Sequence, residues 1–218
     1  MGLGTVIKTM ENTGQFVFRC EANNSVQDGG RSSDTILNVL APPATVKQAE
    51  NKIAVEGTDV EVYCNVTGIP DPTVIWRNVK TCEIIEGNLL NITNITRAQT
   101  GEYKCTASNT CGVDSTMVNI NVHYKPNNVH LTTNTTNEVC AGIIINFTCS
   151  AEANPAVHTY LLSENDTVIY NMGLGTVIKT MENAGQFVFR CEANNSVGDT
   201  GTSSDTSFTV LGELAKLI

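Results

Sequence analysis

The sequence predicts an all-β chain built from tandem β-sandwich domains. Three observations lead there. Apolar residues alternate with period two in short runs between turn clusters. Eight cysteines occur without metal-ligand spacing. An internal repeat recurs at an offset of about two sandwich lengths, slightly compressed.

Composition sets the first limits. The 218 residues are 41% hydrophobic and 16% charged, with a formal net charge of −9. That is enough apolar material for a core. It leaves no basic footprint for nucleic acid and makes a heparin-like partner a poor fit. Thr, Val, Ile and Asn are abundant, which favours strands and turns. The cysteines are Cys20, Cys64, Cys82, Cys105, Cys111, Cys140, Cys149 and Cys191, and no CxxC occurs. His123, His130 and His158 stand near no cysteine pair with ligand spacing. Disulfides fit better than zinc and imply an oxidising compartment. Acceptor sequences for N-glycosylation begin at Asn23, Asn65, Asn91, Asn94, Asn134, Asn146, Asn165 and Asn194. Against about four expected by chance, the excess supports the secretory route. No signal-peptide pattern opens the sequence, and no apolar run is long enough to span a membrane.

The repeat accounts for that opening. Residues 2–26 match residues 173–197 with one change, Thr13 against Ala184, and Met1 corresponds to the internal Met172. We therefore expect a truncated N-terminus and a recent duplication of a two-domain unit. Ala41-Pro42-Pro43 and Tyr124-Lys125-Pro126 read as short stiff linkers. The expected units are 1–40, 43–124 and 126–211, with a tail over 212–218.

In the middle unit Val60, Val62, Cys64 and Val66 share one strand face. A turn over 68–72 precedes the strand Thr73 to Trp76, with Trp76 inward. Leu90 and Ile92 mark another strand. Tyr103, Cys105 and Ala107 point inward on the next, and Val118, Ile120 and Val122 alternate along the last.

Cys64, Trp76, Leu90-x-Ile92, Gly101-x-Tyr103-x-Cys105 and Ala107-x-Asn109-x-x-Gly112 together resemble an immunoglobulin domain of the I-set or C2 kind. The resemblance implies Greek-key sandwiches in tandem. It implies a Cys64–Cys105 bridge joining the two sheets, with Trp76 packed on it and the Tyr103 hydroxyl returned to the main chain. Gln99 stands where the family often has an acid, so the accompanying salt bridge is not carried over. Cys82 and Cys111 fall after strand C and in the F–G turn. A second intradomain disulfide is the first reading for them; free thiols or outside partners are the alternative.

The last unit resembles the same family with departures. Ile143, Ile145, Phe147 and Cys149 are expected inward, with Phe187, Phe189, Cys191 and Ala193 facing them and a Cys149–Cys191 bridge implied. Ala193-x-Asn195-x-x-Gly198 repeats the motif. Leu161 stands at the count of Trp76, Phe189 replaces the corner tyrosine, and Ile178 and Met181 match Ile92 and Ile95. Cys140 has no family counterpart. Residues 1–40 correspond to strands E, F and G alone, so Cys20 lacks its strand-B partner and an apolar face is left open. Exchange with the front half of another copy is one expectation; an effect of truncation is the other.

For function, the resemblance implies an extracellular adhesion or recognition molecule of the neural-adhesion or hemicentin-like kind. Its expected partners are cell-surface or matrix proteins, with homophilic binding included. Receptor-kinase or phosphatase ectodomains and matrix scaffolds are the alternatives; paired cysteines and acceptor sequences argue against an intracellular muscle-type array. No nucleophile elbow, zinc-protease motif, phosphate loop or cofactor fingerprint occurs, so neither enzyme nor cofactor is expected. Asn65 and Asn91 are expected to point outward on strands B and E, placing glycans on one sheet. The opposite sheet presents Ile75 and Arg77 on strand C and Lys104 and Thr106 on strand F, which we expect to form the contact patch.

Overall fold

The computed structural model describes residues 5–24, 29–45, 50–173, 175–198 and 201–212. Strands dominate, and among the described residues the only helical element is a 3-10 turn at Arg97–Gln99. The chain divides into two compact units. One comprises Met1–Lys52, Asp59–Thr93 and Thr100–Asn121; the other comprises Ile53–Thr58, Asn94–Gln99 and Val122–Ile218.

In the first unit, the strand Ile84–Glu86 pairs with Thr73–Asn78, which pairs with Gly101–Asn109, which pairs with the start of Gly112–Thr133. Val60–Tyr63 and Leu89–Ile92 form the second sheet. Alternation drives the packing: Val60, Val62, Leu90, Ile92, Trp76, Tyr103, Val118 and Ile120 are all buried between the layers. Trp76 is fully buried and donates its indole N–H to the Asn88 carbonyl at 3.3 Å. Cys64 and Cys105 are bonded through this core, with Cα atoms 6.4 Å apart.

Several expectations for this unit are corrected. Cys82 and Cys111 are unbonded and exposed. The register explains why: Tyr103 lies opposite Asn78, next to the Cys82 turn, whereas Cys111 follows Asn109 at the other end of the same strand. Six residues of strand separate those ends, about 20 Å, well beyond disulfide reach. Burial raises the pKa of the Tyr103 hydroxyl, and its contact with the Asn78 side chain works against that shift. Ala41–Thr45 is a strand rather than a linker. It pairs with Val66–Ile69, and its register shifts between Ala41 and Ala44, across two prolines that carry no N–H for the ladder.

The duplicated N-terminal segment forms two short antiparallel pairings, Gly14–Phe18 with Thr35–Val39 and Glu21–Asn23 with Gly29–Arg31. The expected strand E is not formed, because residues 5–9 are irregular.

In the second unit, Ile144–Asn154 pairs with Thr176–Thr180 on one side and with residues 124–133 of the long strand on the other. The opposing sheet runs Glu138–Cys140, Thr206–Leu211, Gly185–Asn194, Thr159–Glu164, Thr167–Asn171; its first pairing is parallel. Tyr124-Lys125-Pro126 therefore lies within a strand, not in a linker. The core has no tryptophan. Phe147, Phe189 and Phe208 fill the space, with ring centroids 4.6, 6.1 and 5.9 Å apart. Cys149 and Cys191 are bonded, with Cα atoms 6.2 Å apart.

Three inward assignments change here. Leu162, not Leu161, lies opposite Cys191 as Trp76 lies opposite Cys105, and Leu162 is fully buried. Pro70 and Pro155 each stand six residues after their strand-B cysteine. From there to Trp76 is six residues and to Leu162 seven. One added loop residue thus reverses the inward phase. Ile178 is 64% exposed, because Val177 and Lys179 carry the inward phase opposite Phe147 and Ile145; Met181 is buried as expected. Ile143 lies just before its strand, which begins at Ile144, and is 37% exposed.

Candidate recognition surface

The outer face of the four-stranded sheet in the first unit carries the expected patch. Arg77 and Lys104 are directly opposite each other on neighbouring strands, as are Ile75 and Thr106. Arg77 and Lys104 are exposed, and Ile75 and Thr106 are half-buried. The ladder extends both rows. Ile84, Arg77, Lys104 and Met117 form one; Glu86, Ile75, Thr106 and Ser115 form the next. Two cations opposite each other would repel, and Arg77 also donates to the Cys82 sulfur at 3.0 Å. Ile84 and Met117 are 57% and 39% exposed, and Val113 adds apolar surface further along the same face. These three were not anticipated. The inward phase of Val118 and Ile120 was enough to place Met117 and Val113 outside, whereas Ile84 lies on a three-residue strand too short to show a period.

The other sheet presents the glycan acceptors. Asn91 is exposed and lies opposite Glu61, and Asn65 is exposed after the same strand. Asn94 is exposed in a turn with φ 50°. In the second unit the acceptors divide. Asn165 is exposed at φ 47°, and its Oδ1 accepts from the Val188 N–H, which turns its amino group outward. Asn134 is exposed but uses its Oδ1 to accept from the Asn146 N–H. Asn146 and Asn194 are half-buried, and the Asn146 Oδ1 is enclosed without a hydrogen-bond partner. The Asn23 side chain lies outside the described residues.

Two asparagines gain a role that motif reading alone did not assign. Asn109 Nδ2 donates to the Ala41 and Pro70 carbonyls, and its Oδ1 accepts from the Cys111 N–H. Asn195 repeats the arrangement with the Tyr124 and Pro155 carbonyls and the Val197 N–H. Each clamps its F–G turn to the B–C turn and to the incoming strand. In the second unit Arg97 forks onto Glu56 at 2.6 to 3.2 Å and lies 3.9 Å from the Tyr124 ring centroid. The Arg97 side chain, helped by its N–H, holds the Glu56 carboxyl at about 2.

Residues 42–109 match the immunoglobulin domain model. That segment is similar to an immunoglobulin domain. The fold of the chain is that of tandem immunoglobulin domains. The chain is 28% identical over 197 residues to myelin-associated glycoprotein from Homo sapiens and 29% identical over 188 residues to limbic system-associated membrane protein from Rattus norvegicus. The matches cover 86% and 79% of this chain, and 31% and 54% of those relatives. The crystal structure of DIP-gamma IG1+IG2 superposes with a TM-score of 0.61 at 15% identity, covering 78% of this chain and 97% of that one. Among the described residues no helix is long and apolar enough to cross a membrane.

Proposed function

We propose that the chain is an extracellular recognition module of an adhesion-type surface or matrix protein. In this reading the domain over residues 43–124 engages a protein partner through the face bearing Ile75, Arg77, Lys104 and Thr106. One observation carries the reading: the two outer faces of this sandwich are chemically unlike. The face with Asn65 and Asn91 bears acceptor sequences, whose glycans would hold a partner away. The opposite face pairs two cations with exposed Ile84 and Met117, and it presents no standard acceptor. A desolvated apolar centre edged by charge suits a protein contact, and the cations favour an acidic partner surface. Another copy of this acidic chain would qualify. Resemblance to relatives described as a glycoprotein and a membrane protein supports the extracellular setting. A signalling-receptor ectodomain or a matrix scaffold would use the same face in the same way. We propose no catalysis and no nucleic-acid binding.

Charge reversal tests the face. Arg77→Glu with Lys104→Glu should reduce partner capture or cell aggregation at least tenfold while the thermal transition is retained. Unchanged binding by a folded double variant, or a partner footprint over Asn65 and Asn91, would reject it.

A further inference from the structure

The second unit carries a recess beside one of its glycan acceptors. Asn165 and Asp166 form the two-residue turn between Thr159–Glu164 and Thr167–Asn171, with Glu164 paired to Thr167. Both have positive φ, 47° and 62°, as the tightest hairpin turns require. The Asn165 N–H donates to the Val188 carbonyl at 2.8 Å, and the Val188 N–H donates back to Asn165 Oδ1 at 3.0 Å. That pair fixes the side-chain amide and leaves Nδ2, the atom that bears an N-linked glycan, turned outward. Beside it lies a recess of about 270 Å³ lined by Ser163, Asn165, Asp166, Val188, Arg190 and Asp205. That volume is below the roughly 300–1,000 Å³ of sites for drug-sized ligands and suits a single sugar ring.

We propose that this recess seats the first N-acetylglucosamine of a glycan on Asn165, a site that rests on the extracellular setting proposed above. Attachment replaces one Nδ2 hydrogen. The bond from Nδ2 to the sugar C1 forms as the C1–O bond to a lipid-diphosphate donor breaks, and the proton passes to a base. The walls match that sugar. Arg190 is held by Asp205 at 2.8 Å and by Asp166 at 3.2 Å. Its guanidinium has five N–H donors, so it can still donate to the acetamide carbonyl. The two carboxylates can accept from the sugar hydroxyls. Val188 supplies an apolar wall for the acetamide methyl. Buried Ser163 donates its hydroxyl to the Arg190 carbonyl at 3.2 Å, which ties the two strands together beneath the recess. The first unit has a different residue at the matching place. There the Val79 N–H donates to the Glu102 carbonyl at 2.9 Å, and Glu102 and Val188 each stand three residues before the strand-F cysteine. Val79 is 46% exposed. The seated glycan thus shields, in the second unit, the sheet edge that the first unit leaves bare.

The test uses the full chain secreted from a eukaryotic cell line, with glycopeptides followed by mass spectrometry. Asn165 should be occupied. The acetamide methyl of its first sugar should show nuclear Overhauser contacts to the Val188 methyls. Arg190→Ala should speed release of the Asn165 glycan from folded protein by peptide N-glycosidase at least tenfold. Release from Asn65 should not change, and the thermal transition should be retained. A glycan on Asn165 whose release Arg190→Ala leaves unchanged would overturn the proposal. A chain modified at Asn65 but not at Asn165 would also overturn it while leaving the extracellular setting intact. A chain modified at no acceptor would count against both.

Discussion

Residues 14–24 and 185–195 are the same eleven amino acids, GQFVFRCEANN, in two different surroundings. Their local structure agrees in detail. Gly14 lies opposite Val39 and Gly185 opposite Val210. Arg19 pairs with Asp34 as Arg190 pairs with Asp205. The Cys20 N–H donates to Ser32 Oγ at 2.9 Å, and the Cys191 N–H to Ser203 Oγ at the same distance. What differs is everything the opposite sheet supplies. Thr176–Thr180 is a strand because Ile144–Thr148 pairs with it, whereas the identical TVIKT at residues 5–9 is irregular. Hairpin register and turn bonds are thus local properties of this sequence. Burial, the disulfide and strand E come from the sheet across the core.

Matched substitutions would break that comparison most sharply. Phe189→Ala should cost about 3–5 kcal/mol in denaturant unfolding, whereas Phe18→Ala should stay within about 0.5 kcal/mol in reduced, dilute protein. Equal costs would mean that the first face is also packed. Next in size, losing the Cys149–Cys191 link, which spans 42 residues, should cost about 4 kcal/mol in the chain-entropy account. Alkylating Cys20 should leave the same melt unchanged.

A smaller effect depends on pH. Glu56 belongs to the unit that contains residues 185–210, and its carboxyl is held at about 2, below the ordinary 4.5. A carboxylate depressed in the folded state adds stability above its ordinary value and loses it as pH falls through the folded one. The melting temperature of this unit should therefore drop between pH 4.5 and 2, and Glu56→Gln should flatten that part of the curve. An unaltered profile would remove the ion pair from the account. Smallest of all, Asp205→Asn and Asp34→Asn should each leave the melting curve essentially unchanged, since both pairs are solvent-exposed.

Legibility in the sequence followed the same division between local and long-range causes. Trp76, Tyr103, Val118 and Ile120 could be placed inward because each lies on a strand long enough to show its period. Arg77 and Lys104 followed from the same parity, and the ladder makes them direct neighbours. Leu161 was misplaced because counting from Cys149 crosses a loop one residue longer than its counterpart, and parity does not survive such a step. Ile178 failed by comparable counting, since spacing from Met181 does not reveal which strand residues oppose Phe147. The Cys82–Cys111 pairing failed because both cysteines border the same sheet in sequence while strand length sets them far apart in space. Asn109 and Asn195 were visible as motif letters, but their carbonyl partners lie 39 to 71 residues away.

The most direct measurement is hydrogen exchange on the peptides covering residues 14–24 and 185–195 in one reduced, dilute sample, with Cys149–Cys191 left intact. Their intrinsic exchange rates are equal because their sequences are. If the opposing sheet makes the domain, amides of 185–195 will be protected to the level of global unfolding and those of 14–24 will exchange orders of magnitude faster. Equal protection of the two peptides would contradict the account.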